Sequence, residues 1–149
     1  MSGRTVSCGV VMLNQQGEVL LCHATETSHW DVPKGASDPG ESPLEAALCE
    51  LVEETGIVME ADRLKDLGRF VYRRDKDLHL FAVRVGDDEV KVENCVCESY
   101  FPRYRDGTMI PEMDDFRWVD PLEVDRFASR SLARLFQTTL SLAELHETL

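Results

Sequence analysis

An acidic block at residues 35–57 constrains the fold of this chain more than any other feature. It reads GASDPGESPLEAALCELVEETGI and carries six acidic residues without a single Lys or Arg. A run of like charge is commonly a disordered tail. This run, however, has helix signals at both ends. Ser42 is a good N-cap, Pro43 suits the first turn, Glu45 completes a capping box, and Gly56 is a typical helix stop. The block therefore predicts a helix over about 43–55, entered from a turn-forming loop at 35–41.

The predicted helix has an apolar side and an acidic side. Glu50, Glu53 and Glu54 have i, i+3, i+4 spacing, so we expect them to share one side, where like charges repel. A hard divalent cation such as Mg²⁺ relieves that repulsion, because it binds through a few carboxylates together with substrate phosphates. The alternative is an ordinary solvated acidic face. The opposite, core-facing stripe follows the i, i+3, i+4, i+7, i+8 pattern at Leu44, Ala47, Leu48, Leu51 and Val52.

Composition limits the class of protein. The chain has 149 residues, with 28 Asp and Glu against 16 Lys and Arg, for a formal charge of −12. That length predicts one domain spanning 1–149. The acidic balance argues against duplex nucleic acid as a partner, because it offers no surplus of positive charge for the phosphates. We expect a cytoplasmic protein without a membrane segment, since neither a signal pattern nor a long apolar run is found.

The five cysteines do not form a recognisable zinc-ligand set. Cys8 and Cys22 lie in apolar runs, which predicts buried thiols. Cys95 and Cys97 form a lone C-x-C without a second pair, and the histidines do not complete a tetrahedral site. The pattern therefore gives no support to a structural zinc ion.

Short apolar runs separated by turn residues predict strands on both sides of the acidic helix. The turn at 14–17 predicts that the first two strands form a hairpin. A brief helix is predicted at Pro121–Phe127 with Asp120 as N-cap, and a C-terminal helix at Arg130–His146 that packs on the sheet. Strands mixed with helices predict an α/β sandwich. The strands are expected at Thr5–Leu13, Glu18–His23, Asp66–Arg73, Leu78–Val85 and Phe116–Val119.

The acidic block resembles the Nudix box, G-x5-E-x7-R-E-U-x-E-E-x-G-U, where U is an aliphatic residue. Read from Gly35 through Glu41 to the run Cys49–Ile57, the chain matches eight of the nine fixed positions. The resemblance implies an α/β/α sandwich with a mixed β-sheet. It also implies a metal-dependent hydrolase of compounds in which a nucleoside diphosphate is linked to another group.

By position in the box, the resemblance assigns metal ligation to Glu50, Glu53 and Glu54, with Glu50 sometimes the base. The carbonyl of Gly35 joins the metal shell, and Glu41 supports the loop. The implied cofactor is Mg²⁺, with Mn²⁺ as a substitute, which bridges phosphate oxygens while a carboxylate or metal-bound hydroxide delivers water to phosphorus. Coupled carboxylates share their titration, so the sequence leaves open which one is the base.

A second acidic segment, PEMDDFRWV at 111–119, resembles the acidic loop and R-W strand found late in many Nudix enzymes. The resemblance implies that Glu112 helps to bind metal or activates water. Asp114 and Asp115 are weaker candidates for the same role. The alternative is an exposed loop acid without a catalytic role.

The one departure from the box is Cys49, which stands where the family has Arg. In the family that Arg orients a box carboxylate through a fork of hydrogen bonds that no thiol can make. Its loss also removes positive charge from an acidic patch, so the pKa values of the carboxylates should rise. We expect weakened rather than abolished activity, because the ligands remain. A reactive cysteine is an alternative that the surrounding negative charge disfavours.

The sequence around the box resembles one branch of the family, the asymmetric dinucleoside tetraphosphate hydrolases. The pattern W-x-x-P-K-G from Trp30 to Gly35 carries the resemblance, together with E-x-x-x-F-R-W at Glu112–Trp118. It implies cleavage of diadenosine tetraphosphate to ATP and AMP, with Lys34 meeting a phosphate. A surface lysine and a solvated loop are the alternatives. Aromatic and arginine side chains that suit a base and several phosphates are Tyr72, Arg73, Tyr104 and Arg105.

Other classes of function remain open at this stage. The substrate could be a nucleoside triphosphate, a nucleotide sugar, a capped RNA end or an inositol pyrophosphate, because the same box serves all of them. The chain could instead be a nucleotide-binding sensor whose box is impaired at Cys49. It could also be a structural acidic domain that binds Ca²⁺ or Mg²⁺ without a nucleotide. The sequence predicts no oligomeric state.

Overall fold

A computed structural model describes residues 4–149 of the chain. Its strands are β1 (Thr5–Leu13), β2 (Val19–Ala24), β3 (Trp30–Asp31), β4 (Lys34–Ala36), β5 (Lys65–Arg73), β6 (Lys76–Arg84), β7 (Tyr100–Pro102), β8 (Met109–Pro111) and β9 (Met113–Val119). Its α-helices are α1 (Pro43–Thr55), α2 (Val124–Phe127), α3 (Arg130–Thr138) and α4 (Leu142–Thr148). Short 3₁₀ turns occupy Ala61–Arg63, Val92–Asn94 and Pro121–Glu123. The predicted strands and the predicted box helix are therefore all present.

The main sheet is mixed, with β1 at its centre. β1 runs parallel to β6 along its whole length, from the Thr5–Lys76 pair to the Leu13–Arg84 pair. Antiparallel pairs join β6 to β5 and β2 to β9. The predicted hairpin is confirmed at its turn, but within residues 4–149 its strands share only the Leu13–Val19 pair. They part because β1 goes on to pair with β4, and β2 with β9.

The sheet separates two apolar cores, because alternate residues of each strand point to opposite faces. Val11 of β1 lies in the core covered by α3 and α4, where it joins Leu132. Val10, the preceding residue, lies in the core on the other face, where it joins Leu51 of α1. Helices on both faces of a mixed sheet confirm the expected α/β/α sandwich.

The ends of α1 follow the predicted caps. The Ser42 hydroxyl oxygen accepts the backbone N–H of Glu45 at 3.1 Å, and the Glu45 carboxylate accepts the backbone N–H of Ser42 at 3.0 Å. Gly56 ends the helix in the left-handed region with φ of 78°, which a glycine adopts without strain. The capping box and the glycine stop are therefore both confirmed.

The burial of α1 differs from the predicted stripe. Ala47 and Leu51 are buried as expected. Glu54 is buried as well, with only 2% of its surface exposed, whereas Glu53 is exposed. The expectation that Glu54 lies on the side of α1 opposite the core was therefore wrong, because its carboxylate is buried against β4. Leu44, Leu48 and Val52, which were expected in the core-facing stripe, are only half-buried. Ala46 and Thr55, which were not expected there, are buried.

The C-terminal region is also more divided than expected. The predicted helix Arg130–His146 is two helices, because Ser141 starts a new one by accepting the backbone N–H of Glu144 at 3.2 Å. The predicted helix Pro121–Phe127 is a 3₁₀ turn followed by α2, with Asp120 as N-cap as expected. No helix of residues 4–149 is long and apolar enough to cross a membrane. Cys8 and Cys22 are buried free thiols, as predicted.

Candidate active site

Strand β4 brings the start of the box next to α1. It pairs with β1 through Gly9–Lys34 and Cys8–Gly35, where the sequence had predicted a loop from residue 35 onward. Gly9 permits this approach, since a Cβ there would lie 2.7 Å from both the Lys34 Cβ and the Pro33 oxygen. The box therefore begins on a strand held by the centre of the sheet, so Lys34 and Gly35 have fixed positions.

Glu54 is the buried carboxylate of the site. Its Oε1 accepts the backbone N–H of Lys34 at 3.0 Å, which compensates part of the cost of burying a carboxylate. Its pKa is raised to about 8, first by burial. The N–H and charge of Lys34 oppose this rise, and the charges of Glu50 and Glu112 contribute to it. Glu54 thus ties α1 to β4 and also takes part in an acidic cluster.

Glu50 lies one helical turn before Glu54 and packs directly on Gly35. A Cβ at residue 35 would lie 2.1 Å from the Glu50 Cδ, so only glycine leaves room for this carboxylate. Burial, together with the negative charges of Glu53 and Glu112, raises the pKa of Glu50 to about 7. The expected rise in carboxylate pKa is therefore present, with burial as its largest cause.

Cys49 and Glu53 form the exposed edge of the site. The Cys49 thiol donates a long hydrogen bond to the Glu53 Oε1 at 3.5 Å. Desolvation and the negative charge of Glu53 raise the pKa of the thiol, so the thiolate is disfavoured, as expected for a cysteine in an acidic patch. Glu41, at the loop end of the box, accepts the backbone N–H of Asp38 at 2.8 Å, and so braces the loop before α1.

Glu112 reaches the box from a distant part of the sequence. It lies between β8 and β9, is half-buried, and its negative charge raises the pKa of both Glu50 and Glu54. Its Oε1 accepts the hydroxyl of Ser99 at 2.8 Å. The structure therefore gathers Glu112 with the box carboxylates. The other two acids of its segment point elsewhere, since Asp114 bonds to His23 and Asp115 is exposed beside it.

Lys34 belongs to a buried polar network that sequence reasoning missed. Its Nζ lies 3.3 Å from the Asp31 Oδ2, which also accepts the Tyr72 hydroxyl at 2.5 Å. The Tyr72 hydroxyl lies 3.0 Å from the Ser129 Oγ as well. The sequence signal that could have predicted the Asp31–Lys34 ion pair is the D-x-x-K spacing at residues 31–34, which brings opposite charges together at this bend of the chain.

The four aromatic and arginine candidates are not gathered in one place. Tyr72 is only 8% exposed, and the Lys34 Nζ and Arg73 Cζ lie 5.8 and 5.3 Å from its ring centroid. Arg73 itself is exposed at the end of β5. Tyr104 and Arg105 are exposed in the turn between β7 and β8, which form a two-stranded arm leading into Glu112.

The acidic cluster suits a hard divalent cation. Within residues 4–149, no three His, Cys, Asp or Glu side chains are already drawn together at metal-binding geometry. These carboxylates repel one another, and Glu50 occupies the space that only a glycine at residue 35 leaves open. Carboxylates are nevertheless the oxygen donors that Mg²⁺ prefers. The residues that would hold such an ion are Glu50, Glu53 and Glu54, with the Gly35 carbonyl beside them.

Comparison with known proteins identifies the family. A family model of the NUDIX domain matches residues 3–138. An uncharacterised 17.7 kDa protein from the e-segB intergenic region of Enterobacteria phage T4 is 35% identical over 141 residues, which cover 89% of this chain and 93% of that protein. An RNA pyrophosphohydrolase of Stenotrophomonas maltophilia is 28% identical over 134 residues, which cover 79% of this chain but only 60% of that enzyme.

A solved structure shows the same fold. The binary complex of a C. elegans Ap4A hydrolase aligns with a TM-score of 0.61 at 20% identity, over 95% of this chain and 96% of that one. The family model spans most of the chain, and Glu50 of the box packs against Gly35. The chain therefore belongs to the Nudix family of phosphoanhydride hydrolases.

Proposed function

We propose that this protein is a Mg²⁺-dependent pyrophosphohydrolase of nucleoside diphosphate-linked compounds, and that a dinucleoside polyphosphate is its preferred substrate. Diadenosine tetraphosphate would give ATP and AMP. The observation that carries the proposal is that Glu112, from a distant segment, lies near enough for its charge to raise the pKa of both Glu50 and Glu54, while Glu50 packs against Gly35. A cytoplasmic location and a single domain over 1–149 stay predictions.

The proposed cofactor is Mg²⁺, with Mn²⁺ as a substitute, because Nudix hydrolases generally use divalent ions. Glu50, Glu53 and Glu54 would hold it together with the carbonyl of Gly35. When bound, such an ion neutralises phosphate charge and makes a water molecule more acidic. Cys49 leaves this set without the arginine fork of the family, so we propose a weakened rather than an inactive site.

In the proposed reaction, Glu112 accepts the proton of the attacking water. Ser99 holds its Oε1 at 2.8 Å, so the second carboxylate oxygen takes the proton while the water oxygen bonds to phosphorus. The bridging P–O bond breaks on the opposite side, and one nucleotide leaves with that oxygen. Lys34, held 3.3 Å from Asp31, offsets charge on a neighbouring phosphate. Glu50, whose pKa is raised to about 7, is the alternative base.

The arm formed by β7 and β8 supports a long substrate. Tyr104 and Arg105 are exposed at its tip, where an aromatic ring and a guanidinium can bind a second nucleoside and its phosphate. The W-x-x-P-K-G pattern and the fold shared with a C. elegans Ap4A hydrolase also support this choice. Tyr72 is buried, so its contribution would come through Lys34 and Arg73 rather than through stacking on a base.

A second candidate substrate is the 5′ end of an RNA. The relative named RNA pyrophosphohydrolase favours it. An exposed aromatic and arginine tip also suits the bases of a single strand, which are commonly bound by stacking. The charge of −12 weakens this candidate, because a strand longer than a few nucleotides needs more positive surface than the chain offers.

The first experiment compares substrates and products with Mg²⁺ present. Purified protein is incubated with diadenosine tetraphosphate, a 5′-triphosphorylated RNA, nucleoside triphosphates, a nucleotide sugar and an inositol pyrophosphate, and the products are separated by chromatography. The proposal predicts ATP and AMP in equal amounts from the first substrate. Glu54→Gln should abolish the reaction. Glu144→Gln makes the same chemical change at an exposed residue of α4, far from the site, and should not.

Other outcomes lead to different conclusions. Faster release of pyrophosphate from RNA favours the second candidate. Tight nucleotide binding without turnover, restored by Cys49→Arg, indicates a sensor whose box is impaired. Metal binding without nucleotide binding indicates the structural acidic domain.

A further inference from the structure

Residues 96–99 form a strap across the C-terminal end of α1. The backbone N–H of Val96 donates to the Thr55 carbonyl at 2.9 Å, and that of Glu98 donates to the Glu53 carbonyl at 2.7 Å. Carbonyls in the last turn of a helix have no partner inside the helix. The strap therefore supplies those partners at the turn that carries Glu53 and Glu54.

The same strap ends at Ser99, which is bonded to Glu112 in both directions. The Ser99 hydroxyl donates to the Glu112 Oε1 at 2.8 Å, and the backbone N–H of Glu112 donates to the Ser99 carbonyl at 2.8 Å. The Glu112 carbonyl accepts the backbone N–H of Thr25 at 3.0 Å. The main chain of Glu112 is thus fixed on two sides, and Ser99 holds its carboxylate.

We propose that Ser99 is a positioning residue, whose hydroxyl holds the Glu112 carboxylate opposite Glu50 and Glu54. The strap then links the end of the box helix to an acid that comes from a different part of the chain. This inference rests on the proposed function, in which Glu112 acts on the attacking water. Nothing in the box itself assigns a role to residue 99.

The physical argument is one of preorganisation. Glu112 faces two other carboxylates whose negative charge repels it, so an unrestrained side chain would turn away toward solvent. One hydroxyl donor at 2.8 Å selects the conformation that points inward. Supporting hydrogen bonds of this kind commonly contribute about 10–100-fold to activity when they orient a working group.

The kinetic test uses single and double variants. Ser99→Ala should lower kcat about tenfold, with KM nearly unchanged, and Ser99→Thr should restore most of it, because threonine keeps the hydroxyl. In a Glu112→Gln background, Ser99→Ala should have no further effect, since the group it positions is already gone. Ser141→Ala removes a comparable hydroxyl hydrogen bond at the start of α4, far from the site, and serves as the matched control.

A second measurement does not depend on turnover. Three-bond NMR couplings report the side-chain conformation of Glu112 in the metal-free protein. They should indicate one conformer in the wild-type chain and an average of several in Ser99→Ala. Averaged couplings in the wild type would overturn the proposal, because no clamp would exist.

The outcomes separate this inference from the proposed function. A wild-type chain that cleaves its substrate, with Ser99→Ala equally fast, overturns the inference alone. A loss of rate that persists in the Glu112→Gln background shows a merely structural role for Ser99, and also overturns it. A wild-type chain without turnover on any tested substrate overturns the proposed function, and with it the catalytic effect of Ser99. The NMR couplings of Glu112 then still decide whether Ser99 fixes its side chain.

Discussion

The carboxylate of Glu50 rests on the α-carbon of Gly35, and a Cβ at that glycine would lie 2.1 Å from the Glu50 Cδ. This contact joins the first position of the box to its sixteenth only because β4 and α1 lie side by side.

 Gly35 opens the box on the strand, and Glu50 follows 15 positions later on the helix. The glycine is therefore required for space, since its backbone is ordinary extended strand.

The first prediction is that Gly35→Ala impairs catalysis far more than stability. The added methyl group displaces the Glu50 carboxylate, the far end of a flexible side chain, so the fold adjusts at little cost. The displaced carboxylate no longer sits beside the other acids, and we expect kcat with Mg²⁺ to fall about 10–100-fold. Steady-state kinetics and thermal unfolding of the same preparation measure both effects.

Gly86→Ala is the matched control for that substitution. Nothing lies within 4 Å of a Cβ built at Gly86, so the same chemical change there should leave both rate and unfolding temperature unchanged. If Gly35→Ala were as active as the control, the contact between Gly35 and Glu50 would have no role in the reaction.

The second prediction concerns the residue that departs from the box. Cys49 is exposed and offers Glu53 only a weak thiol hydrogen bond at 3.5 Å. Cys49→Arg should add a charged donor worth about 1.5–3 kcal/mol to an acidic patch, and we expect turnover to rise about tenfold. The measurement is kcat with Mg²⁺ at fixed pH.

Two further variants at residue 49 separate charge from geometry. Cys49→Ala should behave like the wild type, because the thiol contributes little. Cys49→Lys supplies charge without the planar fork, so an intermediate rate indicates that both matter. A flat rate across all of these variants would contradict the idea of a missing orienting group.

Local signals in the sequence were sufficient for the elements of the site. The capping residues around α1 act within four positions of one another, so Ser42 and Gly56 could be assigned without any tertiary information. Short apolar runs between turn residues likewise predicted the strands. The box helix and its ends were predictable for this reason, whereas the roles of Gly35 and the acids came from the resemblance to the Nudix box.

Tertiary contacts decided what the sequence could not predict. Glu54 was placed on the side of α1 opposite the core because the periodicity of α1 does not show the backbone N–H of Lys34 that donates to its carboxylate. Tyr72 was assigned to a substrate, but its hydroxyl is bonded to Asp31, a residue 41 positions away. Ser99 gave no signal at all, since its importance depends on where the strap lies.

The third prediction is that the metal-free protein loses stability as pH rises. Unfolded glutamates release their protons near pH 4.5, whereas the folded pKa values are raised to about 7 for Glu50 and about 8 for Glu54. Between those limits the folded state holds more protons than the unfolded state, so the free energy of unfolding falls as pH rises. Thermal unfolding in EDTA from pH 5 to pH 8 measures this slope.

Two further measurements, with Mg²⁺ and with a Glu54 variant, identify the source of the fall in stability with pH. Mg²⁺ should raise the unfolding temperature more at pH 8 than at pH 6, because protons no longer compete for the carboxylates. Glu54→Gln should reduce the slope in EDTA and leave the part that comes from Glu50. Burial lowers the pKa of His23, but its hydrogen bonds to Asp114 and Thr27 raise it overall. His23 therefore adds a slope of the same sign, which the variant leaves in place. An unfolding temperature that is constant or rises across this range would contradict the assignment.

The last prediction assigns Tyr72 a structural role behind Lys34. Its hydroxyl donates to the Asp31 Oδ2, which also holds the Lys34 Nζ at 3.3 Å. Tyr72→Phe leaves a buried carboxylate with one donor fewer, so we expect a loss of about 1–3 kcal/mol in the free energy of unfolding. Asp31 should then draw Lys34 closer and away from substrate phosphate, which raises KM while kcat changes little.

The Tyr72→Phe substitution distinguishes this structural role from stacking of the ring on a base. A ring that stacks on a nucleotide would work equally well without its hydroxyl, so an unchanged KM together with unchanged stability would favour the stacking role expected from the sequence. Tyr100→Phe removes a hydroxyl from a ring that is 53% exposed on the arm, and should alter neither quantity. Urea unfolding and initial rates on the three proteins therefore decide whether Tyr72 acts through Asp31 or through the substrate itself.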